Sequence, residues 1–228
     1  MIAGVHAQAI AAVEGARLVG VVSRSAERGA AFLEKHGGDT VASSVEELVA
    51  QPGIDVVCIT TPSGAHLEPA LVAIAAGKHL VVEKPIEITT ARVDELLAAS
   101  SAVGVRVAPI FQQRFSEGAQ ALKAAIVAGR FGRLTSAGCY VKWFREESYY
   151  TGSNWKGTVK YDGGGAVMNQ GIHGVDLLQW LVGLPEEVMG YTTRRVHQGI
   201  EVEDTAVASL RFPDGALGTI EATTAAWP

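Results

Sequence analysis

Cysteine is nearly absent from this chain: Cys58 and Cys139 are the two in 228 residues. Each lies in an apolar, strand-like run, far from the other. They read as buried small hydrophobes, not as a disulfide, and no metal site is expected. A reducing cytoplasm is the default setting. Basic blocks are missing as well. The net charge is −5, so nucleic acid is not an expected partner. Long hydrophobic runs are missing too. None approaches the ~20 residues that cross a bilayer, so no membrane partner is expected. What remains is an ordinary globular composition, 48% hydrophobic and 19% charged, long enough for one large domain or two small ones.

The first half alternates. Helical patterns cover 5–13, 26–36, 65–76 and 90–101, and another helix opens at Ser44, where Glu47 three residues on makes a capping box. Strand-like runs cover 17–22, 55–59, 79–82 and 105–110. These strands are short, apolar throughout and separated by helices, the signature of a parallel sheet covered on both faces. After Arg114 the texture changes. A helix over 117–128 leads into a longer strand over 134–143. The glycine-rich turn Asp162-Gly163-Gly164-Gly165 opens a helix to Trp180. Strands over 188–196, 205–212 and 217–224 then follow in series, the last two joined by an Asp214-Gly215 hairpin turn. The fold class is therefore α/β, a Rossmann-like parallel sheet over 1–114, followed over 115–228 by an α+β domain with an antiparallel or mixed sheet. That small second sheet leaves an apolar face to be covered by more chain or by a partner.

Four stretches could carry chemistry. In VVEKPIEI (81–88), Glu83 and Lys84 fall at the carboxyl end of a parallel strand, where open α/β sheets bind ligands. Pro85 ends the strand, and a cis bond there would aim Lys84. A solvated strand end explains the same residues about as well. In TTPSGAH (60–66), Thr60, Thr61 and Ser63 offer hydroxyls beside a helix start, or simply form a strand-to-helix loop. In DGGGAVMNQGIHGVDLLQW (162–180), Asn169, His173 and Asp176 share one helix face. A histidine so flanked can act as general acid/base, and it can equally be a satisfied core residue. In SRSAERG (23–29), Ser23, Arg24 and Arg28 stand where dinucleotide folds meet the adenosine ribose. Arginines with no acid at that strand end favour NADP over NAD, and a helix N-cap at Ser25 followed by solvated arginines explains the same residues. Arg114, Arg145, Tyr149, Tyr150, Trp155 and Lys156 supply the aromatic faces and cations that suit a sugar or nucleotide sugar, and a surface loop with scattered aromatics explains them almost as well.

In this order, TPSGAH (61–66), AGKHLVVEKP (76–85) and GGGAVMNQGIHGVDLLQW (163–180) resemble the Gfo/Idh/MocA family, the glucose–fructose oxidoreductase and inositol dehydrogenase group. The wording around Asn169 is similar to members acting on nucleotide-linked amino-sugar uronates. The resemblance implies a nicotinamide-dependent dehydrogenase working on a ring hydroxyl or ketone of a sugar, nucleotide sugar or cyclitol. Lys84 would hydrogen-bond the reacting hydroxyl and the nicotinamide ribose, and His173 would take the hydroxyl proton. Asn169 stands where many members carry aspartate, so the acid/base work falls on His173 and Lys84. Thr60, Thr61, Pro62, His66 and Glu83 would face the cofactor; Arg114, Tyr149, Trp155, Lys156 and Asp176 would face the substrate. Family members are dimers or tetramers through the open face of the second sheet.

Family members are also longer at both ends. Ile2 and Ala3 fall where the glycine-rich nucleotide loop would finish, with Ala3 as the small third position of the fingerprint. The strand and two glycines expected before them are not in the sequence. The expectation is that Met1 is not the natural start and that this chain binds a dinucleotide poorly. Two other readings stay open: a non-catalytic sugar-binding or regulatory protein of the same fold, and an inactive fragment of a longer enzyme.

Overall fold

The computed structural model describes residues 2–227. The chain divides into two compact units, Met1–Ile110 and Phe111–Pro228; the sequence places this boundary at Arg114.

In the first unit α1 (Ile2–Ala12) begins earlier than the expected residue 5. It is followed by β1 (Gly20–Val22), α2 (Ala26–His36), β2 (Thr40–Ala42) and α3 (Val45–Val49). Then come β3 (Val56–Ile59), α4 (Leu67–Ala75), β4 (His79–Val82), α5 (Thr90–Val103) and β5 (Val107–Pro109). Helix starts are set by hydroxyls: Ser25, Ser44 and Thr89 each accept a first-turn N–H with the side chain. The capping box at α3 is displaced by one residue. Ser44 Oγ accepts from Glu47 N, but the Glu47 carboxylate takes the N–H and hydroxyl of Ser43, both at 2.7 Å.

All strand pairing in this unit is parallel, in two separate sheets, β1-β2 and β3-β4-β5. Strand β2 was not legible in the sequence, being only three residues long and close behind the Gly37-Gly38 pair. No ladder joins the two sheets among the described residues, so β1 and β3 each keep an open edge. Side chains unite what the backbone does not. One core runs from Ala42, Leu48 and Val49 through Ile54, Val57 and Ile59 to Leu80, Val82 and Leu96.

The second unit carries α6 (Glu117–Val127), β6 (Ser136–Lys142), α7 (Glu147–Thr151), α8 (Ile172–Val182), β7 (Glu187–Thr193), β8 (Thr205–Arg211) and β9 (Leu217–Thr223). Its mixed sheet has the order β6-β9-β8-β7, parallel only between β6 and β9. One face packs under α8 around Cys139, Leu178, Leu210 and Phe212. Gly174 lets the helix down onto β6, since a Cβ there would sit 2.5 Å from Cys139 Sγ. The other face shows Tyr140, Met189, Tyr191 and Val207 to solvent.

The single helix expected after the glycine turn is instead a π-helical turn, Ala166–Gly171, running into α8. Glu203 is the cause. Its carboxylate accepts from Gly165 N (2.8 Å) and Val167 N (3.0 Å), and its carbonyl accepts from Ala166 N (2.9 Å). The backbones touch so closely that a Cβ on Gly165 would lie 1.7 Å from Glu203 O. This glycine therefore admits a neighbouring chain segment.

Candidate functional site

In the first unit the chemistry-bearing residues collect at the carboxyl ends of the parallel strands. Glu83-Lys84-Pro85 follows β4, and the Lys84–Pro85 bond is cis. The turn is fixed from several sides. Glu83 N donates to Ile59 O of the neighbouring strand (3.0 Å). Glu83 Oε2 accepts from Lys84 N (3.2 Å), and Oε1 accepts from His6 Nε2 of α1 (2.8 Å) in a largely buried pair. His66 is 1% exposed, with ring nitrogens 2.9 Å from Pro85 O and 3.0 Å from Thr61 O. It braces the two loops together, so its imidazole is not turned outward as a cofactor contact would require.

Glu87 completes this frame. Its buried carboxylate accepts from Leu67 N and Ile88 N and pairs with Arg92 at 3.0 Å, closing the start of α4. Burial alone would raise this carboxyl; the bonds from Arg92, Ile88 N and Leu67 N outweigh it and hold the group below the ordinary carboxylate value.

The other expected cofactor contacts are spread along the same edge. Thr60 and Pro62 are half-buried, while the Thr61 hydroxyl donates to Ala65 O (2.7 Å). The Ser23 hydroxyl donates to Ser25 O (2.7 Å). Arg24 and Arg28 are exposed and form no ion pair among the described residues. Ile2 and Ala3 lie in the first turn of α1, whose N–H groups have no partner within the helix.

In the second unit His173 stands in the first turn of α8, half-buried, edge-on to Phe111 at 6.4 Å. It lines a groove of about 610 Å³ with Gln113, Tyr140, Trp143 and Gln170. Asn169 is one turn earlier. Its Nδ2 donates to the buried Asp162 carboxylate (2.5 Å) and its Oδ1 accepts from Gln170 (3.2 Å). Gln170 is a hub: Nε2 also donates to the Tyr149 hydroxyl (2.9 Å), and Oε1 accepts from Arg145 Nη2 (2.9 Å). Lys156 Nζ lies 3.6 Å from the Tyr149 ring centre. Tyr149, Lys156, Asn169 and the turn before His173 therefore form one connected patch.

Arg114 and Asp176 are engaged with each other. Arg114 grips Asp176 with two bonds, 2.7 and 2.5 Å, and the two charges serve each other. Asp176, expected one turn beyond His173 as its partner, is thereby committed to Arg114. Trp155 is half-buried, with its carbonyl held by the Thr158 hydroxyl (2.6 Å).

His6, Glu87, Gln170 and Glu203 were missed by sequence reasoning. His6 had a usable signal, an ionisable side chain in a helix otherwise small and apolar except for Gln8. Each of the other three has a partner far away in sequence: Leu67 for Glu87, Tyr149 and Arg145 for Gln170, Gly165 and Val167 for Glu203. Both cysteines are free thiols, pushed upward in pKa by burial.

An oxidoreductase family model for an NAD-binding Rossmann fold matches residues 1–111, and a GFO/IDH/MocA C-terminal domain model matches residues 119–228. By sequence the chain is 30% identical over 204 residues to 1,5-anhydro-D-fructose reductase from Ensifer adhaerens, covering 89% of this chain and 60% of the relative. It is 28% identical over 205 residues to scyllo-inositol 2-dehydrogenase (NADP(+)) from Bacillus subtilis, covering 89% and 61%. Among solved structures it superposes on the WlbA dehydrogenase from Bordetella pertussis, in complex with NADH and UDP-GlcNAcA. The TM-score is 0.94 at 37% identity, covering 100% of this chain and 65% of that one. The chain thus spans about three-fifths of the length of the curated relatives it matches.

Proposed function

The chain belongs to the GFO/IDH/MocA oxidoreductase family, and from that premise we propose that it carries NAD(P)-linked hydride transfer at a ring hydroxyl or ketone of a sugar, nucleotide sugar or cyclitol. The observation that carries the proposal is the braced Glu83–Lys84–Pro85 turn at a parallel strand end, in a chain that also sets His173 behind an amide network. The likeness to a dehydrogenase holding UDP-GlcNAcA favours a nucleotide-linked sugar acid within that range.

The residues fit a dinucleotide. The first turn of α1 offers free N–H groups to a pyrophosphate, and the strand ends at Thr60–Pro62 and Glu83–Lys84 offer polar contacts to a nicotinamide ribose. When bound, the nicotinamide would accept or return the hydride. The rest of the chemistry falls to this chain. Lys84 would hold the reacting oxygen and favour its deprotonated form. His173 would take the hydroxyl proton during oxidation and give it back during reduction. Asn169 is neutral and tied to Asp162 and Gln170, so it positions its surroundings and leaves the proton to His173.

NADP is the preferred coenzyme in this reading. Arg24 and Arg28 are exposed cations without ion pairs among the described residues, after β1, where a 2′-phosphate would lie. The open sheet face around Met189 and Tyr191 would be covered in a homodimer or homotetramer. Two free thiols agree with a cytoplasmic protein.

Turnover with NADP+ or NAD+ and a panel of uronates, nucleotide sugars and cyclitols tests the reading. Lys84→Ala and His173→Ala should each lower kcat by about 10²–10⁴-fold; turnover undiminished in both would overturn it. The neutral Asn169 favours a second reading, a sugar-binding protein without turnover. That reading predicts saturable sugar binding with no change in NADPH absorbance.

A further inference from the structure

The patch around Tyr149 has a charge arrangement that the hydride-transfer reading does not require. The Arg145 guanidinium lies 4.9 Å from the Tyr149 ring centre and 5.1 Å from that of Trp143, so two aromatic rings flank it. The Lys156 ammonium lies against the same Tyr149 ring. Two cations thus share one ring, although like charges repel and each cation loses solvent there. Neither forms an ion pair among the described residues, and the Lys156 ammonium has no hydrogen-bond acceptor among them. Nearby Asp162 is already engaged by Gly157 N (2.8 Å) and Asn169 Nδ2 (2.5 Å). The strain shows in Lys156, whose pKa is lowered first by burial and then by Arg145, with Asp162 opposing.

A folded protein that keeps two half-buried cations together, with the nearby Asp162 carboxylate bonded to other donors, leaves their charge for something else. We propose that Arg145 and Lys156 form the subsite for an oxyanion carried by the ligand, a sugar carboxylate or a phosphoryl group. The arrangement suits such a group. Arg145 is oriented by Gln170, which accepts from one Nη, and the guanidinium fork has further N–H groups to give. Lys156 has all three. The Tyr149 hydroxyl is held by Gln170, which fixes the ring that both cations share. Gln170 joins this patch to Asn169, one helical turn before His173, so a ligand anchored by its anion would be positioned relative to the acid/base histidine.

The inference rests on the second unit being the substrate side of the enzyme, and it is tested by binding, apart from turnover. The full chain labelled with ¹³C at lysine Cε gives a Lys156 signal, assigned by its loss in Lys156→Gln. Glucuronate, glucose 1-phosphate and glucose are titrated in turn. At least one of the two anions should shift the Lys156 signal saturably and raise its apparent pKa, and glucose should do neither. Which anion acts identifies carboxylate or phosphoryl. Arg145→Gln should weaken that anion at least tenfold, and Arg145→Lys should recover part of the loss. The proposal is overturned if neither anion shifts the signal, if glucose shifts it equally, or if Arg145→Gln binds as the parent does. Turnover on a neutral sugar alongside a silent Lys156 would leave the hydride-transfer reading standing and remove only the anion subsite.

Discussion

The two units solve the same problem, placing polar side chains against a packed core, in opposite ways. In the first, strands of three or four residues in two separate sheets provide little backbone pairing. The loops at the carboxyl ends of its strands are held from outside, by His6 on Glu83, His66 on two carbonyls and Glu87 on the start of α4. In the second, four strands of seven residues form one continuous sheet. The candidate residues there sit on a helix whose entry is clamped by Glu203. The first unit thus depends on side-chain braces between loops, and the second on close contact between backbones.

Glycine substitution breaks this contrast most visibly. Gly165→Ala drives a Cβ into the Glu203 carbonyl, and only backbone movement relieves it. The expected loss is about 4 kcal/mol or more, enough to threaten folding of the second unit. The matching change in the first unit is Gly77→Ala. That glycine has φ +72° and nothing within 4 Å of a new Cβ, so the cost is about 1–2 kcal/mol of left-handed strain. Urea unfolding of the two variants measures both. Equal losses would show that backbone contact is not what distinguishes the units.

Buried carboxylates sharpen the contrast by pH. Asp204 in the second unit accepts from Arg195 N, Val196 N and His197 N and from the Thr205 hydroxyl. Burial alone would raise it; those donors outweigh burial and hold it below the ordinary value, as with Glu87. A carboxyl depressed in the folded state contributes stability that is present above its unfolded pKa, about 4, and is lost as pH falls through the folded value. Asp204→Asn and Glu87→Gln should each cost about 2–4 kcal/mol at pH 7. Each variant should also lose less stability than the parent between pH 5 and pH 2. A parent-like acid slope in both would show that these groups do not carry the dependence.

The sequence made one kind of information visible and hid another. The helix bearing His173 is regular only from Ile172, after the π-helical turn, while the strand ends at Lys84 and Thr60 follow from local periodicity and turn chemistry and fall where expected. The braces do not. Glu87 answers Leu67 and Arg92, Glu203 answers Gly165 and Val167, and neither carboxylate has a local pattern to mark it. The structure gives Gly165 the backbone of Glu203. Asp176 shows the converse, since helical spacing placed it beside His173 while Arg114 took both its oxygens.

The smallest effect comes from separating Arg92's two partners. Arg92 Nη2 donates to Glu87 at 3.0 Å and to Glu68 at 2.9 Å, nearly equal distances. The Glu87 side chain is 0% exposed and that of Glu68 67%. Distance alone would rank them together. Solvent separates them, because an exposed carboxylate exchanges its cation for water at little cost while a buried one cannot. Glu68→Gln should therefore change stability by less than about 0.5 kcal/mol, and less still at 1 M salt, where exposed charges are screened. A Glu68→Gln loss comparable to that of Glu87→Gln would mean that the brace at the start of α4 is a three-member charge network, not one buried pair with an exposed neighbour.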